Sequence, residues 1–298
     1  MRYCTVRADG KQTRTGILTE EGYLRLLPAH FQDIADLAES GSTPSKLASL
    51  AGPSAGRLED FELMAPVQRF SKNVLCTGWN YLAHFEEGIG KRTAVITQMP
   101  DAPTFFTKAP GAIAPPSGTL PIDLRLSSSW DYEAEIAVVI GRTGRSISQS
   151  QAKDYIFGYC LANDVSQRSL QRRHGGQWFR GKTVDRSTPL GPFVISADAV
   201  ELGNVTLECR VNGETRQHAS ASQMAFPVER LIAELSLGMT LNAGDVILTG
   251  TPAGVGMGME PPVYLQPGDV VETRSNLLGA MRHQMAETDL VGSSEMLQ

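Results

Sequence analysis

The 298-residue chain is predicted to fold as an α+β protein, mainly β, with a small β-rich unit over residues 1–65 ahead of a larger unit over 66–298. Three observations lead there. Tyr3 to Val6 and Thr15 to Leu18 flank Asp9-Gly10, a strong hairpin turn signal. The run from Ile136 to Ile140 is apolar, largely β-branched and closed by Gly141, as a buried strand requires. The helical patterns along the chain are short, so strands must supply most of the framework.

Composition narrows the function class. Hydrophobic residues make up 41% and charged residues 20%, enough for a substantial core with no sign of disorder. A net charge of −5 and a pI near 5.6 leave no basic footprint for nucleic acid. No apolar run reaches membrane-spanning length, and Met1 to Arg7 lacks the apolar core of a signal peptide, so a cytoplasmic protein is expected. Cys4, Cys76, Cys160 and Cys209 are widely spaced, without a Cys-x-x-Cys pair, and read as reduced packing residues.

In the first unit, Tyr23 to Leu26 suggests a third strand and Phe31 to Leu37 one or two helical turns. Glu39 to Pro44 breaks that pattern, Ser45 to Leu50 resumes it, and Ala51 to Gly56 reads as a linker. No chemistry is visible here; the expected role is packing against the larger unit or a partner subunit. The second unit opens with a strand from Asn73 running into Gly78, followed by a short helical segment in which His84 and Glu87 stand three apart on one face. A carboxylate beside an imidazole orients the ring, as a general base acting on water needs. Gly88-Ile89-Gly90 would suit a lid. Pro103 to Pro110 is a strand with Lys108 at its basic end, able either to approach an anionic substrate or to face water.

The central feature is Glu133-Ala134-Glu135 at the head of the apolar run. Side chains two apart on a strand project from one face, so the carboxylates are held side by side. Such a pair is costly unless a cation lies between them or one is protonated. Asp164, at the end of a strand over Tyr159 to Ala162, adds a third hard oxygen ligand, and an oxygen-only set favours Mg²⁺, Mn²⁺ or Ca²⁺ over Zn²⁺. An isolated Glu-x-Glu more often lies on the wet face of an edge strand, so the surrounding sequence must overturn that reading. Ser148 to Phe157 is expected as a helix with Ser148 at its N-cap, ended by Gly158. Arg172 to Arg180 suggests either a basic loop at the mouth of a site, able to draw in dianions, or a plain surface turn. Phe226 to Leu237 reads as an amphipathic helix with Pro227 near its start, and Thr288 to Gln298 as a loose tail.

Taken together, several motifs in unbroken order resemble the fumarylacetoacetate hydrolase family. They are Gly78-x-Asn80-Tyr81-x-x-His84-x-x-Glu87, Asp131-Tyr132-Glu133-x-Glu135, and Gly158-Tyr159 followed by Asn163-Asp164-Val165-Ser166-x-Arg168. Gly181-Lys182, Pro189 to Pro192, Val211 to Glu214, Gly244 to Gly256 and Leu265-x-Pro267-Gly268-Asp269 continue the series. The resemblance covers roughly residues 70 to 280 and implies a mixed β-roll or barrel core, a homodimer, and one Mg²⁺ or Mn²⁺ per subunit. It places the metal ligands on Glu133, Glu135 and Asp164, the catalytic residues on His84, Glu87 and Lys182, and substrate contacts on Arg168, Gln171 and Thr251. Two departures stand out. Larger eukaryotic relatives carry an aspartate where this chain has Thr77, and the common Ala-Arg-Asp is here Gln167-Arg168-Ser169, which removes a carboxylate able to orient Arg168.

The activity this implies is hydrolysis of a carbon–carbon bond in acylpyruvate-like 1,3-diketo acids of the fumarylpyruvate or acetylpyruvate type, in the catabolism of aromatic compounds. A hard cation would stabilise the developing enolate, Lys182 would add positive charge, and water activated by His84 would attack the distal carbonyl. The same site would also serve β-keto acid decarboxylation of the oxaloacetate type, keto–enol isomerisation or sugar-acid dehydration. A metal-stabilised binding protein without turnover is the alternative outside catalysis. The expected partner is a small diketo acid, not nucleic acid or membrane.

Overall fold

A computed structural model describes residues 1–8, 12–91 and 96–292. Its framework is a 12-stranded mixed sheet. At the centre lies the strand Ala134–Ile140, paired antiparallel with Ile156–Asn163 on one side and Val246–Leu248 on the other. Both faces of Ala134–Ile140 are covered, which is why it reads as a continuous apolar run. Ala137 and Val139 enter one apolar cluster, Ile136, Val138 and Ile140 another. Val246–Leu248 pairs in parallel with Val74–Gly78, which in turn pairs antiparallel with Thr104–Lys108. This order brings the glutamate strand, the segment leading to His84 and the strand ending in Lys108 together.

In the other direction Ile156–Asn163 pairs with Thr188–Ser196, and that strand with Arg2–Ala8 through Arg2↔Ile195 and Tyr3↔Val194. The N-terminal strands Gln12–Leu18, Tyr23–Leu26 and Ser54–Arg57 extend the sheet outward. Tyr3, Ile34, Leu37 and Leu47 share a cluster with Cys76, Val139 and Leu248. Burying a side chain the size of Leu or Ile contributes about 1.5–3 kcal/mol each, so the first 65 residues are tied to the larger unit by packing as well as by hydrogen bonds. Among the described residues the edge strands Ser54–Arg57 and Thr104–Lys108 do not pair, and the sheet stays open. The mainly β, mixed-sheet architecture is as expected; a closed barrel is not formed.

A second, five-stranded sheet runs Glu214–Ser220, Thr206–Val211, Val270–Ser275, Gly279–Glu287, Ser117–Ile122. Its Leu207 and Met281 pack with Ile136 and Val138, so the second sheet covers one face of the central strand. Helix Val228–Ser236 turns Val228, Leu231, Ile232 and Leu235 inward, the i, i+3, i+4, i+7 pattern expected of it.

Two local expectations change. Ser148 to Phe157 holds only a 3₁₀ turn at Ala152–Tyr155 before the chain enters Ile156–Asn163. The Ser148 hydroxyl bonds the side chains of Ser150 and Gln151 instead of capping backbone N–H groups, and Ile156, a good strand former, joins the sheet. Ala51 to Gly56 is not simply a linker either. Ser54–Arg57 supplies partners for the exposed edge of Tyr23–Leu26, a need that local composition does not reveal. The Asp9-Gly10 turn lies outside the described residues, although the flanking strands pair up to Ala8↔Gln12. Residues 293–298 of the expected tail also lie outside them. All four cysteines are free and buried. Among the described residues, no helix is long and apolar enough to cross a membrane.

Candidate active site

Glu133 immediately precedes the central strand and Glu135 is its second residue, while Asp164 follows the end of the neighbouring strand Ile156–Asn163. The antiparallel register Ala134↔Asn163 brings these points together, and the Asp164 N–H donates to the Glu133 carbonyl at 2.8 Å. One oxygen from each of the three buried carboxylates lies within 4.8 Å of the others. Glu133 and Glu135 open, with Thr77, His84, Arg168, Gln171, Lys182 and Thr251, onto a cavity of about 80 Å³. A larger surface groove of about 960 Å³, running past Leu37, Tyr159, Asp198 and Glu229, carries no such ligand set. Chemistry rather than size marks the site.

Four buried carboxylates meet three buried cations. Lys182, on the short helix Phe179–Lys182, donates to Glu133 Oε2 at 2.5 Å and Asp164 Oδ2 at 2.7 Å. Lys108 donates to Asp164 Oδ1 and to the Val165 carbonyl. Far from facing water, it is fully buried behind the site. Arg168 bridges Glu133 Oε1 at 2.7 Å and Asp131 Oδ2 at 2.9 Å, with Gln171 Oε1 accepting a third bond at 3.1 Å. Asp131 thus does for Arg168 what the missing aspartate at Ser169 would otherwise do. Its carboxylate is itself fixed by the N–H groups of Gly256 and Met257. Sequence reading assigned no role to Asp131 and left Lys108 open between approaching an anionic substrate and facing water. The signal for Asp131 was present, since residues 131, 133 and 135 share a spacing of two; Lys108 gave none, because only tertiary packing turns it inward.

Electrostatics separate the two glutamates. Burial alone would push the Glu133 carboxyl up, but the charges of Lys182 and Arg168 hold it well below the usual carboxylate range. Burial would likewise lower the Lys182 pKa, yet Asp164 and Glu133 outweigh it and raise it. Glu135 is the reverse of Glu133. Its burial, reinforced by Asp164 and Glu133, pushes its pKa well above the ordinary value. It accepts a bond from the Gly250 N–H at 2.7 Å, and no ion pair to it occurs among the described residues. A buried carboxylate without a counter-charge beside two others is the chemistry a hard divalent cation resolves. Thr77 lines the same cavity, and its buried hydroxyl has no hydrogen-bond partner among the described residues. Glu133, Glu135 and Asp164 therefore form a ligand set that could hold a hard divalent cation, with Thr77 at hand.

His84 lies on helix Leu82–Glu87 and is nearly buried. Its Nδ1 meets Glu87 Oε1 at 2.7 Å, and the other Glu87 oxygen accepts from the Gly254 N–H at 2.8 Å. The pair is thus locked to the loop after Val246–Leu248, and Nε2 takes no part in the bond to Glu87. Thr251 lines the cavity, but its hydroxyl donates to the Ala134 carbonyl at 2.9 Å and accepts from Gln217 Nε2 at 2.8 Å. It braces the glutamate strand as well as edging the site. The remaining wall is aromatic: Trp178 stacks edge-on against Trp79 and Phe106, with ring centroids 4.8 and 5.2 Å apart. Trp79 sits at φ +55°, a costly backbone conformation for a bulky residue of the kind that collects at functional sites.

Residues 73–286 match the family model for the fumarylacetoacetate (FAA) hydrolase C-terminal domain. The chain is 41% identical over 229 residues to oxaloacetate tautomerase YisK of Bacillus subtilis (strain 168), covering 76% of this chain and 74% of that protein. It is 36% identical over 268 residues to the mitochondrial oxaloacetate tautomerase FAHD2A of Homo sapiens, covering 89% and 82%. Among solved structures, a fumarylacetoacetate hydrolase from psychrophilic Exiguobacterium antarcticum aligns with a TM-score of 0.84 at 36% identity, covering 97% of this chain and all of the other (100%). A 5-carboxymethyl-2-hydroxymuconate delta-isomerase from Mycobacterium smegmatis aligns with a TM-score of 0.76 at 29% identity, covering 97% and 99%. By the order of its motifs, its fold and these matches, the chain belongs to the fumarylacetoacetate hydrolase family.

Proposed function

We propose that the protein is a divalent-metal-dependent keto–enol tautomerase of short 2-oxo dicarboxylic acids, oxaloacetate being the type substrate. The observation that carries this reading is the 41% identity, over 229 residues, to a relative named as an oxaloacetate tautomerase. Hydrolysis of acylpyruvates, ranked first from sequence, gives way to the isomerase alternative. The site's geometry suits the simpler reaction. Tautomerisation requires one group to move a proton at C3 and positive charge at the C2 oxygen, with no water to admit and no leaving group to expel. A cavity of about 80 Å³ walled by Trp79, Trp178 and Phe106 favours a short substrate.

In this reading Glu133, Glu135 and Asp164 hold the metal ion, which when bound supplies positive charge to the 2-oxo acid's oxygens. His84, oriented by Glu87, takes the C3 proton of the keto form. Lys182 stabilises the charge that develops on the C2 oxygen. Return of the proton held by His84 to that oxygen completes the enol, and reversal of the same steps restores the ketone, so atoms and electrons balance without a co-reactant.

The test follows the enol absorbance of oxaloacetate with purified protein, with and without Mg²⁺ or Mn²⁺, alongside acetylpyruvate with pyruvate release as the readout. Metal-dependent acceleration of oxaloacetate equilibration without loss of carbon dioxide supports the proposal. Efficient release of pyruvate and acetate from acetylpyruvate, with oxaloacetate equilibrating at its background rate, would return the hydrolase reading.

A further inference from the structure

Among the described residues, three Arg or Lys side chains line the cavity: Arg168, Arg172 and Lys182. Two are already committed. Arg168 spends its guanidinium on Asp131, Glu133 and Gln171, and Lys182 its ammonium on Glu133 and Asp164. Arg172 forms no ion pair or hydrogen bond to another described side chain, although it borders the same space. Helix Arg168–Arg173 explains its placement. Residues four apart lie on one face, so Arg172 stands one turn above Arg168, a rise of about 6 Å. That step is of the order of the distance between the two ends of a four-carbon diacid. Gly175 and Gly176, at φ +62° and +80°, turn the chain just beyond the helix and let Trp178 and Lys182 return to the site.

We infer that Arg172 is the specificity residue that receives the distal carboxylate of a dicarboxylate substrate, while the 2-oxo acid end sits at the acidic triad. The inference deepens the tautomerase reading by naming what selects a diacid over a monoacid. A guanidinium is suited to this task because its planar fork pairs with a carboxylate through two parallel hydrogen bonds. Its exposure keeps it hydrated when no ligand is bound, so no buried counter-charge has to be displaced.

Binding of two inert probes to the metal-loaded protein tests this independently of turnover. Malate and lactate share a 2-hydroxy acid head and differ in the distal carboxylate. Titration calorimetry should show malate binding at least about tenfold more tightly than lactate, the lower end for a charge-assisted hydrogen bond. In Arg172→Gln the preference should fall to within about twofold, with lactate affinity unchanged, and Arg172→Lys should restore part of it. Circular dichroism checks that both variants are folded. A wild-type protein without preference for malate, or an Arg172→Gln variant that keeps it, overturns the assignment. Failure of the tautomerase reading would instead appear only in the oxaloacetate assay, with the binding preference intact.

Discussion

Replacing Arg168 tests the charge network directly. The guanidinium is buried and bridges Asp131 and Glu133, so Arg168→Met strands two buried carboxylates at once. Removing one partner of a buried ion pair costs about 3–5 kcal/mol. Here Asp131 keeps the N–H donors of Tyr132, Gly256 and Met257, and Glu133 keeps Lys182, which places the loss near the lower figure, about 3 kcal/mol. For a chain of this size that is a fall of roughly 6–12 °C in Tm. Asp131→Asn alone should cost less, because the amide oxygen can still accept from Tyr132 and Gly256. The double variant then isolates the pair. Urea unfolding of the wild type, both single variants and Asp131→Asn/Arg168→Met should return a coupling energy of about 1–3 kcal/mol. A coupling near zero, with all four proteins folded and two-state, would refute the claim that Asp131 holds Arg168 in place of the absent aspartate at Ser169.

Other outcomes are as definite. Glu135→Gln should leave the metal-free protein as stable as wild type or more so, since its raised pKa marks a destabilising buried charge; it should abolish the gain in Tm that Mn²⁺ gives wild type, measured by differential scanning fluorimetry. His84→Gln should slow oxaloacetate equilibration by about 10²-fold or more with little change in Mn²⁺ affinity, because proton transfer and metal holding fall on different residues. Gly78→Ala would place a methyl 2.2 Å from the Trp178 ring, so about 1–3 kcal/mol of stability and a shifted tryptophan emission should report displacement of the aromatic wall. Burial pushes the His283 pKa from 6.5 down to about 4, so the unfolded chain takes up its proton first as pH falls. That stability is fully present above about pH 6.5 and is lost progressively toward pH 4, about 3 kcal/mol in all; His283→Gln should flatten the difference across that window in urea unfolding.

The sequence by itself determined the chemistry of the ligand set and its approximate placement. Spacing of two put Glu133 and Glu135 on one face, spacing of three paired His84 with Glu87, and the order of motifs identified the family, because periodicity and local motifs are properties of the chain alone. The strands at Val74–Gly78 and Thr104–Lys108 and the helix at Val228–Ser236 were legible for the same reason. Tertiary structure decided what depends on long-range pairing. Lys108 is 56 residues from Asp164 and Asp131 is 37 from Arg168, separations at which sequence carries no geometric information. The same holds for Ser54–Arg57, which becomes a strand because an edge needs a partner, and for Ile156 and Phe157, which join the strand ahead of Tyr159 although the local pattern reads as helix. Whether each charge at the site is committed or available was also settled by packing, because ion pairing in a low-dielectric interior depends on distances of a few ångströms between elements remote in the chain.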